Sequence, residues 1–196
     1  DPETLITEEK QKVKLHKRSN KISSFLDDLG DFEDKDQIVV FGVSKQLMYL
    51  LADELTELGK KASRDKQRLY SFGMITGDQS TAQKNKTIEN FQSGNIRLVL
   101  VTTAAGGTGI TLTNASSMVF LQRPWSMVEN QQAEARAYRI GSEIHDVVKI
   151  IDYVSKDTIE ETDLVQARIN KEISLQNILR DKELMKNWLN NGDVLQ

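Results

Sequence analysis

The 196-residue sequence contains no cysteine. That excludes disulfides, thiolate zinc sites and cysteine nucleophiles. It accords with a reducing compartment, the cytoplasm or, in a eukaryote, the nucleus. Proline is scarce, present only as Pro2 and Pro124, so long helices rich in Lys, Glu and Leu are left uninterrupted. The two histidines, His16 and His145, lie far apart in sequence, whereas a metal site needs several converging ligands. No run of about 18 apolar residues occurs, so no membrane span is expected. Nor is there an excess of positive charge: the net charge is -3, and any nucleic-acid contact must come from local clusters. The opening stretch DPETLITEEKQKVKLHKRSN has neither an apolar signal core nor an initiator methionine, and reads as a fragment or a processed product.

What is present suits one α/β domain with an appendage. Hydrophobic residues make up 38% and charged residues 28%, a balance that can bury a core. Residues 1–18 read as a polar N-terminal segment, 19–156 as the main domain and 157–196 as a helical extension. Ile22, Phe25, Leu26 and Leu29 fall on one helix face, stopped by Gly30. The pattern then predicts strands at 37–41, 71–76, 97–102, 117–121 and 146–153, and helices at 44–58, 80–93 and 126–140. Ser44 is the expected cap of the first of these helices; Leu47, Leu50, Leu51, Leu55 and Leu58 form its stripe, and Gly59 its end. In the second, Ile88 and Phe91 point inward and Gly94 closes it. Such alternation implies a parallel sheet covered on both faces, with ligands at the carboxyl ends of the strands.

Three loops at those strand ends could carry chemistry, as could one helix and one basic segment. GDQST offers a tight exit at Gly77 and a cap at Ser80 or Thr81; a helix N-terminus there suits a phosphate, and equally an ordinary capped turn. TTAAGGTGIT places Gly106, Gly107 and Gly109 behind two threonines, so backbone amides can approach a phosphate closely. It matches neither GxxxxGK[ST] nor GxGxxG. In QRPWS, Arg123 and Trp125 form either a surface anchor or a packed corner. On the helix 126–140, Gln132, Arg136 and Arg139 share one face at i, i+4 and i+7, and arginine suits phosphate bidentately. By charge pattern alone, a solvated face with Glu134 and Glu143 as ion-pair partners explains that spacing better. The basic segment 59–70, with Lys60, Lys61, Arg64, Lys66 and Arg68 against Asp65, fits either a nucleic-acid backbone or plain solvation.

Taken in order, IVVFGVSKQ, ITGDQSTAQKNKTIENFQSG, VLVTTAAGGTGITLT and RPWSMVENQQAEARAYRIGS resemble the C-terminal RecA-like lobe of superfamily 2 helicases, closest to the Swi/Snf-type DNA-dependent ATPases. The likeness spans residues 19–165. It implies a RecA-like parallel sheet flanked by helices on both faces, with a C-terminal helical extension, in an ATP-dependent DNA translocase or helicase. It implies that Arg136 and Arg139 are arginine fingers for ATP, held with Mg2+ mainly by a separate N-terminal RecA-like lobe. Gln132, Gly109 and Thr111 would then lie on the nucleotide side. Phe41, Ser44, Gly77, Asp78, Ser80, Thr102, Thr103, Gly106, Gly107 and Trp125 would lie along the nucleic acid, duplex DNA contacted through its backbone. Some positions depart from the family pattern. Thr111 stands where Asn or Asp is usual, Tyr138 where His is frequent, Ser142 where Gln is usual, and Ser126-Met127 where Asn-Pro is usual.

A complete motor also needs a Walker-type phosphate loop and an acidic Mg2+ box. The nearest candidate, at Gly59-Lys60, has Glu54 for the first glycine and Lys61 for Ser/Thr, and Asp53-Glu54 falls within a helix. The chain alone is therefore not expected to hydrolyse ATP. An RNA helicase lobe and a stand-alone, non-catalytic binding module are the alternative readings.

Overall fold

Two strands are almost wholly apolar, and that decides where they sit. In the computed structural model, which describes residues 19–106, 110–124, 127–137 and 147–162 and single helical positions at 166, 173, 177, 178, 180 and 182, β1 (Ile38–Gly42) and β3 (Leu98–Thr102) are buried at every position. A strand achieves this only when both faces are covered. With β2 (Phe72–Ile75), β4 (Ser117–Phe120) and β5 (Lys149–Asp152) they form a five-stranded sheet in the order β2-β3-β1-β4-β5. Every pairing is parallel, with Val39 opposite both Val99 and Met118.

The strand order explains the layering. The chain moves one way from β1 to β2 and the other way for each later step. Right-handed crossovers therefore put the first connecting helix on one face and the later ones on the opposite face. On the first face, Ile38, Val40, Leu98, Leu100 and Val119 pack against α1 (Asn20–Asp28) through Ile22 and Phe25, and against α2 (Lys45–Lys61) through Leu47, Met48, Leu51 and Leu55. On the second, Val39, Phe41, Val99, Val101, Met118 and Phe120 meet Phe91 of α3 (Thr81–Gln92) and Ala133 of α5 (Met127–Ala137). Alternate residues of each strand serve opposite faces, as the pleat requires.

The expected RecA-like α/β architecture is present, with boundaries shifted by a residue or two. Ser19 and Ser44 cap α1 and α2. Gly94 ends the α3 region with φ +75°, a conformation that favours glycine. Three expectations need correction. Gly59 does not end α2, which continues to Lys61; Lys60 and Lys61 suit the negative end of the helix dipole, and the Ala62 amide still reaches the Leu58 carbonyl at 2.9 Å. The threonine–glycine loop does not leave β3 as an open loop but as a helical turn, α4 (Thr103–Gly106), whose Ala105 is buried in the second-face core. The last strand shortens to Lys149–Asp152, because at the sheet edge only these residues pair with β4.

Candidate functional site

Because the strands are parallel, their carboxyl ends form one rim, and side chains cross-link neighbouring exits along it. At the end of β1, Ser44 caps α2, and its own amide donates to Gln122 Oε1 from the exit of β4 at 3.0 Å. One residue on, Lys45 Nζ pairs with Asp78 in the exit of β2 at 2.6 Å, and the Tyr49 hydroxyl donates to the other Asp78 oxygen at 3.3 Å. Their mutual hydrogen bond and attraction hold the Asp78 carboxyl below, and the Lys45 ammonium above, their ordinary pKa values. Both side chains remain about half exposed, at 53% and 51%. Gly77 has open space beside it. Ser80 forms a full capping box with Gln83, which occupies two of the polar groups at the start of α3.

Two residues expected along the nucleic acid are withdrawn into the core. Phe41 is fully buried and stacks on Phe120, ring centroids 5.0 Å apart. Thr102 is 2% exposed. A strand between two helical layers has no free side-chain face, so a contact at either position would fall to the backbone. Thr103 is half-buried at the start of α4 and stays at the rim. Thr111 is not brought to the rim. Its carbonyl accepts from Gln92 Nε2 at 3.3 Å, at the last residue of α3, a helix whose first turn is the rim end. The basic segment is also elsewhere: it follows the end of α2 and precedes β2, at the opposite edge of the sheet. There Lys60 pairs with Glu57, and Arg68 reaches the Gly94 carbonyl. It is not continuous with the rim.

The two faces of α5 have different tasks. Helical spacing places Gln132 and Arg136 on one side, and Asn130, Ala133 and Glu134 towards the other. Gln132 is exposed and Ala133 buried. Glu134, which the charge pattern offered as an ion-pair partner, has a cation from outside its own helix. It turns inward to Arg123 Nη1 at 2.8 Å. Arg123 is thus the packed corner, not a surface anchor. It also binds both carboxylate oxygens of Asp152, at 2.5 Å and 3.3 Å, and lies 3.9 Å over the Phe120 ring. Burial alone would lower its pKa, but hydrogen bonds to Asp152 and Glu134 raise it above the ordinary value. The backbones of Gly106 and Arg136 lie in α4 and α5; Gly107, Gly109, Trp125 and Arg139 lie outside the described residues.

Sequence reasoning missed Lys45, Tyr49, Asp152 and Lys21. The last donates to the Leu121 carbonyl at 2.9 Å and to Glu160 at 2.5 Å, tying α1 to the segment after β5. A lysine directly after the Ser44 cap was the one available signal. The partners of Arg123 and Lys21, 29 and 139 residues away, had none.

Comparison with known proteins agrees with this architecture. The model of the helicase conserved C-terminal domain matches residues 19–141. Protein CHROMATIN REMODELING 24 of Arabidopsis thaliana is 31% identical over 126 residues, 64% of this chain and 10% of that protein. Chromodomain-helicase-DNA-binding protein 1-like of Danio rerio is 31% identical over 124 residues, 63% of this chain and 11% of that protein. The chain thus spans about a tenth of the length of these relatives. The crystal structure of the C-terminal part of the Fun30 ATPase domain superposes with a TM-score of 0.64 at 24% identity, covering 76% of this chain and 47% of that one, a likeness of fold.

Proposed function

Because the chain belongs to the helicase conserved C-terminal domain family, in its Swi/Snf-type branch, we propose that it is the C-terminal motor lobe of an ATP-driven DNA translocase. The observation that carries this reading is the division of α5. Its inner face is consumed by Arg123 and the core, while Gln132 is exposed on the side where spacing also puts Arg136. An exposed amide with a guanidinium one turn later fits a terminal phosphate presented from another surface. Arg139, by spacing, adds a second guanidinium.

ATP, bound with Mg2+ by an N-terminal RecA-like lobe, supplies the phosphoryl group whose transfer drives the motor. Arg136 and Arg139 neutralise the charge that develops on that group, a contribution of about 10³–10⁵ in rate for such fingers. Their engagement draws the two lobes together, and their release lets the lobes part. At the rim, Thr103 and the backbone beside Gly77 contact phosphates of one DNA strand, next to the Lys45–Asp78 pair. Contacts to phosphates rather than bases give weak sequence preference and a steep dependence on salt.

DNA is preferred to RNA because the relatives' names describe chromatin and DNA-binding proteins. ATPase stimulation by RNA but not by duplex DNA would reverse that preference. In the polypeptide that unites this lobe with an ATP-binding lobe, Arg136→Ala and Arg139→Ala are each expected to reduce turnover by about 10³-fold or more while ATP still binds. Near-normal turnover in both variants refutes the finger assignment.

A further inference from the structure

The rotation of α5 about its own axis decides whether Gln132 and Arg136 face outward, and among its described side chains polar contacts, more than apolar ones, hold it. Ala133 is its one described residue in the buried core, and a methyl group packs almost equally well over a range of rotations. Polar contacts are more directional. Two of them converge on one side chain. Arg123 leaves the end of β4 and donates to Glu134 at 2.8 Å and to Asn130 at 3.4 Å, both on the inner face of α5. Asn130 also donates to the Pro124 carbonyl at 2.7 Å. The rest of the guanidinium grips Asp152 at the end of β5, and Phe120 supports its flat face. The Arg123, Asp152 and Glu134 side chains are only 10%, 6% and 20% exposed, so water competes little for these bonds.

We infer that Arg123 is a positioning residue: by clamping Glu134 and Asn130 to the exits of β4 and β5, it sets the rotation of α5 and thereby aims the Gln132–Arg136 face. The catalytic consequence rests on the motor-lobe reading; the structural part does not. A guanidinium is suited to the task because its planar fork serves two carboxylates and an amide at fixed angles while lying flat on a ring. Lysine could satisfy either carboxylate but not hold that three-way geometry. The positions of Glu134 and Arg136 differ by two residues, about 200° around the helix, so locking one inward turns the other outward.

The test reads orientation and chemistry separately. The sequence has no cysteine, so nitroxide labels at Q46C of α2 and Q132C of α5 report a single distance by pulsed electron resonance. The unsubstituted clamp is expected to give one narrow distribution, R123M a broadened or shifted one, and R123K an intermediate one. R123K also serves if R123M fails to fold. In the two-lobe polypeptide, R123K is expected to lower kcat for ATP at least severalfold with its KM unchanged, measured well below the melting transition. A narrow, unshifted distribution in every folded Arg123 variant overturns the inference. So does full kcat in R123K when R136A is inactive. If R136A itself retains full turnover, the finger reading fails, and a broadened distance still supports Arg123 as the clamp of α5.

Discussion

Replacing Asp78 by Asn removes a carboxylate from the rim and releases the Lys45 ammonium it holds at 2.6 Å. If DNA runs along this rim, Asp78 opposes binding twice, by repelling phosphates and by occupying Lys45. D78N should therefore strengthen binding, although Asp78 belongs to a block expected to contact the backbone. The magnitude follows from counterion release. One additional lysine–phosphate contact steepens the slope of log K against log salt by about 0.9. A fourfold rise in salt, from about 50 to about 200 mM, should then cost D78N about 3.5-fold more affinity than the unsubstituted chain. The assay is fluorescence anisotropy of a labelled duplex titrated with this chain across that salt range. K45A supplies the decisive control: if Asp78 acts through Lys45, most of the steepening from D78N disappears in K45A/D78N. Since the pair is half exposed, its loss should leave the melting temperature nearly unchanged. Weaker binding by D78N at unchanged slope would make Asp78 itself a favourable contact. No effect on affinity or slope would remove the rim between β1 and β2 from the DNA path.

Two further outcomes concern the framework behind the site. Arg97 is fully buried and donates to the carbonyls of Phe32, Glu33 and Asp36 at 2.9–3.2 Å, fastening the loop before β1. Burial lowers its pKa, so part of its hydrogen-bonding gain is offset, and R97M should destabilise the chain by about 2–4 kcal/mol in urea unfolding; a change under about 0.5 kcal/mol would show that the loop does not depend on it. For Glu160, burial pushes the pKa up, but bonds from Lys21 Nζ and the Ser155 amide outweigh it and bring it below the ordinary 4.5. The tie therefore stabilises fully above that value and is lost as the pH falls through the lowered one. E160Q should flatten the stability–pH curve in that acidic window, and an unaltered acid limb would refute the coupling.

The fold was largely legible because its signals are local and periodic. β1 and β3 are apolar runs, α2 repeats Leu47, Leu51 and Leu55 at helical spacing, and Ser19, Ser44 and Ser80 stand where caps are needed. Parallel pairing and the carboxyl-edge rim then follow from alternation and handed crossovers. The errors arose where a local signal has two outcomes. Gly59 permits a helix to end without forcing it, and a threonine–glycine stretch can open as a helical turn. Phe41 lies in a motif-bearing block, but whether such a residue faces the ligand or the core depends on the helices above and below the sheet.

The α5 site divides along the same line. From sequence alone, Gln132 and Arg136 share a helix face, because the 3.6-residue repeat is a property of the backbone. Which way that face points is not written in its spacing or in its charge pattern. Only the tertiary structure decides it, because Glu134 is claimed by Arg123, eleven residues earlier, and Arg123 by Asp152, twenty-nine residues later. Periodicity follows from bonds within a helix, whereas orientation is set by partners that folding alone brings within hydrogen-bonding distance.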